Sequence, residues 1–168
     1  MNFCECSPWE WQIAPMGLIG RERMLLLATA GGTVNGMTVA WGGLGVMWGM
    51  PCVYYAIRPS RFTHQLTEAG ECVSLCALQA AYTEALTYFG THSGREGDKF
   101  KAAGLNPITM PCGGVGVSGA RLIVTAKKVF SHAISAGEIK NVIYDRWYKD
   151  EDLHTMYVAA VQAIYLAE

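Results

Sequence analysis

Arg58, Ser60, Arg61 and Thr63 fall within six consecutive positions that follow a long uncharged stretch. The residues after them favour a helix, and Ser60 is a good N-cap for it. The first N–H groups of a helix lack intrahelical partners and attract anions, and guanidinium groups bind phosphate through forked, charge-assisted hydrogen bonds. The segment therefore indicates a phosphate site. The alternative is a capped surface helix whose arginines meet solvent or a carboxylate.

Short strands joined by glycine-rich turns must position this segment. Residues 52–57 are β-branched and aromatic, so we expect a strand that brings Arg58 to a sheet edge and stops at Pro59. Residues 31–32 and 35–36 predict a turn, and the glycines of 42–49 let the backbone bend or approach a ligand closely. Further strands are predicted at 23–30, 37–41, 71–78, 120–131 and 155–165, helices at 62–68, 80–89 (ended by Gly90) and 98–103, and a polar, irregular excursion at 134–153.

Length and charge limit the classes of protein to consider. The 168 residues suit one domain, 1–168, and the net charge of −1 argues against broad binding to nucleic acid. About half of the residues are hydrophobic and only 16% are charged, which favours a buried interface in a homodimer. Strands dominate the pattern, and no glycine-rich dinucleotide fingerprint follows a strand, so a β-barrel with helical insertions is predicted.

The uncharged stretch between Arg23 and Arg58 raises the question of a membrane span. Glycines interrupt it repeatedly, and each would cost a helix about 1 kcal/mol relative to alanine. Short buried strands fit better, and we expect no membrane association, although hydropathy alone leaves a span open.

The cysteines and histidines do not show a metal-binding pattern. The cysteines are even in number but follow no secretory signal, so reduced thiols and a cytoplasmic location are expected. Two well-spaced pairs or a partnering histidine pair are typical of zinc sites, and we expect no metal. Three scattered histidines are interpreted as structural or exposed. The residues considered are Cys4, Cys6, Cys52, Cys72, Cys76, Cys112, His64, His132 and His154.

Three separated blocks together resemble the flavin reductase-like family of FMN-binding split-barrel proteins. The blocks are residues 35–48, 58–63 and 90–100. The match is good over roughly 25–105, weaker around 121–128, and returns at 154–157. The resemblance implies a mainly β fold with helical insertions, a Greek-key split β-barrel, and a homodimer that binds one FMN per subunit near the dimer interface.

The resemblance also implies roles for individual residues. The turn at 58–63 would bind the FMN phosphate, the strand at 37–42 would run along the ribityl chain and ring through backbone groups and the Thr38 hydroxyl, and the loop at 91–99 would close over the cofactor. The implied cofactor-binding residues are Met37, Thr38, Val39, Ala40, Trp41, Arg58, Pro59, Ser60, Arg61, Thr63, His92, Ser93, Gly94, Arg95 and Lys99.

The chain departs from the family pattern at several positions. Ala40 replaces a frequent serine and Phe62 a frequent tyrosine, and residues 111–119 are glycine-rich where relatives have an acidic, aromatic strand entry. This last difference weakens any inference about substrate. Trp41 and Trp48 flank the glycine run and could line the ring pocket; core packing is the alternative, and it is preferred for Trp48.

These observations predict an FMN-binding oxidoreductase, a flavin reductase that passes hydride from NAD(P)H to flavin. The cofactor carries this chemistry, so no catalytic residue is nominated. His92 could hydrogen-bond reduced flavin or merely organise its loop. The alternatives are a non-enzymatic flavin- or haem-binding carrier on the same fold and a purely structural β-domain.

Overall fold

Antiparallel strands form most of the structure, a computed structural model that describes residues 2–111 and 113–167. Cys112, which the sequence analysis groups with the reduced cysteines, lies outside the described residues. The strands are β1 (Phe3–Cys6), β2 (Met24–Ala30), β3 (Thr33–Val39), β4 (Gly42–Met47), β5 (Met50–Ile57), β6 (Cys72–Leu78), β7 (Pro107–Thr109), β8 (Val115–Val117), β9 (Ala120–Ala133) and β10 (Thr155–Ala167). The α-helices are α1 (Phe62–Ala69), α2 (Thr83–Thr91), α3 (Lys99–Ala102) and α4 (Asn141–Trp147); Gly17–Glu22 forms a π-helix, and Ala80–Tyr82 and Ala136–Glu138 form 3₁₀ turns.

An eight-stranded sheet in the described part of the chain has the order β3-β2-β6-β9-β10-β5-β4, with β1 added to β10. The strands curl into a Greek-key split barrel, so the predicted fold class is confirmed. β7 and β8 form a separate hairpin beside it. The predicted strands at 23–30, 71–78, 120–131 and 155–165 correspond to β2, β6, β9 and β10.

The apolar run of β2 is explained by burial on both faces. Leu26 and Ala28 belong to the core inside the barrel, whereas Leu25 and Leu27 belong to a second core beneath α2 and α3. A strand that buries both faces needs a continuous hydrophobic sequence and not an alternating one. Phe89 of α2 is fully buried in the second core, which fixes α2 and the loop after it against β3.

The barrel is split beside β3. Among the described residues β3 pairs only with β2, so its other edge keeps backbone N–H and C=O groups available. β5 contacts β3 across this gap. Thr155 of β10 pairs with Ile57 of β5, and this register places the start of β10 beside the chain that leaves β5 at Arg58. The free edge of β3, the start of β10 and the chain that leaves β5 therefore meet at the split.

Several glycines serve the sheet and not a ligand. Residues 42–47, which the sequence analysis assigns to a bend, form β4 and pair with β5. A Cβ on Gly42 would lie 2.1 Å from the Tyr54 carbonyl oxygen, so glycine allows the two strands to approach. The turn lies at Gly31 and Gly32, whereas Asn35 and Gly36 lie inside β3, so the turn prediction is wrong for this second pair.

Other sequence-based predictions of local structure need correction. Ser60 is not the N-cap of α1: that position is Arg61, whose side chain makes no capping hydrogen bond. α2 ends at Thr91 and not at Gly90, and the predicted irregular excursion contains α4. Trp48 is 61% exposed and contacts Phe130, so its predicted core packing is wrong.

Two findings on the described residues concern the cysteines and the helices. The five described cysteines are free thiols. None of the described helices is long and apolar enough to cross a membrane.

Candidate functional site

A cavity of about 310 Å³ lies between the start of α1 and the loop after α2. We call it the cationic cavity, because three basic side chains line it together with hydroxyl groups. The structure thus brings together the turn that was predicted to bind phosphate and the loop that was predicted to close over the cofactor. The lining residues are Asn35, Met37, Ser60, Arg61, Phe62, Thr63, Thr91, His92, Ser93, Gly94, Arg95, Glu96 and Lys99.

The two arginines of this cavity are held by backbone carbonyl groups. Arg61 donates from Nη2 to the Gly90 carbonyl (2.5 Å), and Arg95 donates from Nη1 to the Ser60 carbonyl (3.1 Å). The Arg95 guanidinium also lies 5.1 Å from the centre of the Phe62 ring. These contacts link the α1 turn to the 91–99 loop, and they leave each guanidinium with further N–H donors for an anion.

Lys99 is a buried cation at the floor of the cationic cavity. Its Nζ donates to the carbonyls of Phe89 and His92, both at 3.0 Å. Burial, reinforced by the charge of Arg61, lowers the pKa of Lys99 to about 8. A protonated amine has three donors, so one remains for a ligand. An anion in this cavity would offset the repulsion between the two cations.

Asn35 closes the cavity from the side of β3. Its Nδ2 donates to Thr63 Oγ1 (2.8 Å), which ties the buried Thr63 hydroxyl to the strand. A Cβ on Gly94 would lie 2.1 Å from Asn35 Oδ1, so a glycine is required where the loop crosses β3. Asn35 was not predicted as a site residue.

A second cavity, of about 350 Å³, adjoins the first. We call it the strap cavity, because Glu151 of residues 147–152, here named the strap, lines it. Both cavities are lined by Met37, Ser60 and Arg61, so they are neighbouring parts of one site. The other lining residues of the strap cavity are Arg58, Glu151 and His154.

His154 stands in an aromatic cluster beside the strap cavity. Its ring centre is 4.7 Å from that of Trp41, and its Nδ1 lies 3.1 Å from the Tyr148 hydroxyl. Trp41 also packs edge-on against Trp147, with ring centres 5.1 Å apart. Burial lowers the pKa of His154 to about 4, and the charge of Arg58 adds to this effect while Asp152 opposes it. The imidazole is therefore neutral at pH 7.

Arg58 is held by the strap. Its Nη1 lies 2.7 Å from Glu151 Oε2 and 3.1 Å from the Asp152 carbonyl, and its Nη2 donates to the Trp147 carbonyl (3.1 Å). The Ser60 N–H donates to Asp152 Oδ2 (2.8 Å). Burial raises the pKa of Asp152, but the hydrogen bonds from Ser60 and the charge of Arg58 outweigh it and leave that pKa below its usual value.

The remaining predicted site residues lie around the two cavities. Met37 lines both, whereas the Thr38 hydroxyl donates to the Leu86 carbonyl of α2 and so faces away from them. Only the backbone of Thr38 is placed for a ligand at the β3 edge. Val39 is buried in the barrel core, and Ala40 follows it at the end of the strand. The His92 ring stacks on Tyr88 (3.9 Å between centres) at the end of α2.

The arrangement offers two different chemical environments. The cationic cavity suits a phosphate, because guanidinium, ammonium and hydroxyl donors converge there. Met37 and the neutral His154 line the strap cavity, together with Arg58, Ser60, Arg61 and Glu151. Because the cavity also adjoins the free edge of β3, it suits a flat heteroaromatic ring with polar edge atoms. Sequence reasoning missed His154 as a site residue, although the block at 154–157 carried a signal for it.

Comparisons with known proteins bear on the family and the fold. The family model described as a flavin reductase like domain matches residues 16–168. The comparison with curated proteins gave no match.

Three solved structures share the fold. An FMN-binding protein from Thermus thermophilus with bound p-hydroxybenzaldehyde is 21% identical, with a TM-score of 0.69 over 87% of this chain and 71% of that one. An FMN-binding domain of a flavin reductases-like enzyme from Shewanella baltica is 15% identical, with a TM-score of 0.71 over 98% and 77%. An NADH:FAD oxidoreductase from Streptomyces globisporus is 17% identical, with a TM-score of 0.65 over 86% and 75%.

Proposed function

Since the chain belongs to the flavin reductase-like family, we propose that it binds FMN and transfers hydride from NADH or NADPH to flavin. One observation carries the proposal: the cationic cavity meets, at Met37, Ser60 and Arg61, a second cavity that His154 of the aromatic cluster lines. FMN has the same two parts, an anionic phosphate and a flat ring joined by a polar chain. The similar Streptomyces protein is an NADH:FAD oxidoreductase, which supports a nicotinamide donor.

The residues of the cationic cavity fit the phosphate. Arg61, Arg95 and Lys99 supply charge, and an anion would offset the repulsion between the buried Lys99 and Arg61. The hydroxyls of Thr63 and Ser93 and the first N–H groups of α1 supply further donors. These groups would hold the phosphate at the start of α1.

The residues beside the strap cavity fit the ring. The free edge of β3 from Met37 onward offers backbone donors and acceptors, and His154, which packs against Trp41, lines the space. Bound FMN supplies the hydride acceptor of the reaction. The protein binds and orients the ring, and the neutral His154 can hydrogen-bond it without adding charge. We assign no acid or base.

We also propose a homodimer in the cytoplasm. Several large apolar side chains are exposed on the β4–β5 hairpin and on β9, and we call this set the Trp48–Phe130 patch. Exposed apolar patches of this kind mark interfaces. The free thiols of the described cysteines support a reducing compartment. The patch consists of Val46, Met47, Trp48, Met50, Val129 and Phe130.

Calorimetric titration of the flavin-free protein with FMN and with riboflavin tests the binding assignment. FMN should bind more tightly than riboflavin by roughly a hundredfold, because charge-assisted hydrogen bonds each contribute about 1.5–3 kcal/mol. Arg61→Gln should remove most of this difference, and Lys127→Gln, an exposed lysine on β9, should not. Equal affinities for FMN and riboflavin in the wild type would refute the phosphate site.

A further inference from the structure

Cys4 and Cys6 stand on the same face of β1. Side chains of a strand alternate between its two faces, so residues two positions apart share one. The packing of β1 follows this rule, because Phe3 lies against the second core and Cys6 against the core inside the barrel. Both cysteines are free thiols, with Cys4 exposed and Cys6 half-buried. The proposed function uses neither of these neighbouring thiols.

The extended backbone of β1 keeps the two sulfur atoms from joining. Each residue of a strand advances by about 3.3 Å, so two side chains on one face start about 6.6 Å apart. A disulfide requires β-carbons about 3.8 Å apart. A bond between the two thiols would therefore contract this part of the chain by about 3 Å, and β1 would lose its strand geometry.

The two thiols differ in their surroundings. Cys4 is open to solvent, where a small oxidant can reach it. Burial raises the pKa of Cys6, and the neighbouring Cys4, Glu10 and Glu5 add to this effect. Cys6 is therefore protonated at pH 7 and is poorly suited to react first with an oxidant. The influence of Cys4 on Cys6 also indicates that the two groups lie close enough to interact.

We propose that hydrogen peroxide converts Cys4 and Cys6 into a reversible disulfide, which releases β1 from β10. The Cys4 sulfur attacks a peroxide oxygen, the O–O bond breaks, and the leaving hydroxide takes the Cys4 proton as water. The Cys6 sulfur then attacks the sulfenic acid at Cys4, the S–O bond breaks, and a second water leaves with the Cys6 proton. Peroxide gains the two electrons that the sulfur atoms lose, and a thiol reductant reverses the reaction.

Release of β1 would loosen the segment that follows it. Cys6 pairs with Ile164 of β10. Ile164 in turn lines a cavity of about 230 Å³ together with Trp9, Trp11 and Ile13. Trp11 and Ile13 also pack against the core inside the barrel. Oxidation at β1 would thus change the surroundings of two tryptophans and open apolar surface at this end of the barrel.

Reduced flavin is one source of the oxidant. When it meets dioxygen, dioxygen takes up two electrons and two protons and becomes hydrogen peroxide. A protein that reduces flavin therefore works beside this oxidant. The thiol reaction itself does not depend on the proposed function, because peroxide can be added directly to the purified protein.

Peptide mass spectrometry of the purified protein after treatment with hydrogen peroxide tests the proposal. The peptide that holds Cys4 and Cys6 should lose two hydrogen atoms and resist alkylation, and dithiothreitol should restore both thiols. Hydrogen exchange at the β1 amides should become roughly tenfold faster in the oxidised protein, because their pairing with β10 is lost. Cys4→Ser should abolish both effects. Cys72→Ser, which removes a thiol from β6, is the matched control and should leave both unchanged.

A second variant separates the roles of the two thiols. Cys6→Ser should still form a sulfenic acid at Cys4, which dimedone traps, but no disulfide. The proposal would be overturned by oxidation of the wild type that stops at sulfenic acid, or by a disulfide to another cysteine or another chain. A Cys4–Cys6 disulfide with unchanged exchange at β1 would also overturn it. None of these measurements requires flavin, so each failure would leave the proposed function intact.

Discussion

Arg58 Nη1 lies 2.7 Å from Glu151 Oε2, in an ion pair that joins the turn after β5 to the strap. Asp152 adds a contact to the Ser60 N–H from the same strap. Carboxylates thus occupy donors that the sequence analysis assigned to a phosphate. Arg61, Arg95 and Lys99 donate to backbone carbonyls, and no carboxylate of the described residues forms an ion pair with them. We therefore expect these three to bind the phosphate and Arg58 to anchor the strap beside the ring site.

Replacing Arg58 should therefore weaken ring binding. We expect Arg58→Ala to weaken FMN and riboflavin by a similar factor, roughly tenfold or more, because three contacts to the strap are lost. Arg61→Gln should weaken the binding of FMN and leave the binding of riboflavin unchanged. Titration of both variants with both flavins separates the two roles. If Arg58→Ala weakened FMN and left riboflavin unchanged, Arg58 would instead be a phosphate ligand.

The affinity for FMN should fall at alkaline pH. The Lys99 amine of the free protein loses its proton as pH rises through about 8, and a phosphate dianion prefers the charged amine. Affinity should be flat near pH 7 and decline by up to tenfold per unit above 8. The affinity for riboflavin, which lacks the phosphate, should show no decline. Lys99→Met should abolish the decline in FMN affinity. A flat FMN profile up to pH 9.5 would contradict this role.

The lowered pKa of Lys99 also predicts that the stability of the free protein rises with pH, whereas its FMN affinity falls. The folded-state pKa of Lys99 lies below its ordinary value of 10.5, so the unfolded chain binds more protons between the two values. The contribution of Lys99 to the free energy of unfolding should rise with pH from about 8 to about 10.5. Urea unfolding of wild type and Lys99→Met across this window measures the difference.

His154 should stay neutral throughout the physiological range. Its pKa of about 4 predicts constant imidazole ¹⁵N chemical shifts from pH 5.5 to 8. Arg58 lowers this pKa and Asp152 raises it, so Arg58→Ala should move it upward and Asp152→Asn downward. NMR titration of protein with ring-labelled histidine measures the pKa of His154 in the wild type and in both variants. An inflection near pH 6.5 in the wild type would place His154 in solvent and outside the aromatic cluster.

Thr38 should contribute to stability and not to flavin binding. Its hydroxyl donates to the Leu86 carbonyl, and Thr38→Val removes this bond between β3 and α2. We expect a loss of about 1 kcal/mol in the free energy of unfolding, with FMN affinity unchanged. Thr87→Val, at an exposed site on α2, is the control. A variant with normal stability and weakened FMN binding would restore the hydroxyl to the site.

The Trp48–Phe130 patch should be required for the proposed homodimer. Trp48 and Phe130 lie in contact, with ring centres 6.3 Å apart, and both are exposed. Placing a charge on each, as in the double variant Trp48→Lys with Phe130→Lys, should give a monomer in sedimentation velocity, because burying unpaired charges is costly. Thr87→Lys should leave the dimer intact. A wild-type monomer would refute the proposed interface.

Much of the barrel could be predicted from the sequence, because its strands bury periodic or continuous apolar residues. β2, β6 and β10 are of this kind. Helix α4 could not be predicted from the sequence, since none of its residues is buried and it has no apolar periodicity. The hydrogen bond from the Ser60 N–H to Asp152 joins two residues that are 92 positions apart in the sequence. Such a contact is set by the register of β10 against β5, which local sequence patterns do not specify.

The absorbance spectrum of the FMN complex under anaerobic conditions, before and after addition of NADH or NADPH, tests the central proposal most directly. We expect the flavin band to bleach with one of the two nucleotides, at a rate that saturates with its concentration. If FMN binds but stays oxidised after addition of either nucleotide, the result would contradict the proposed reductase activity and favour a flavin carrier.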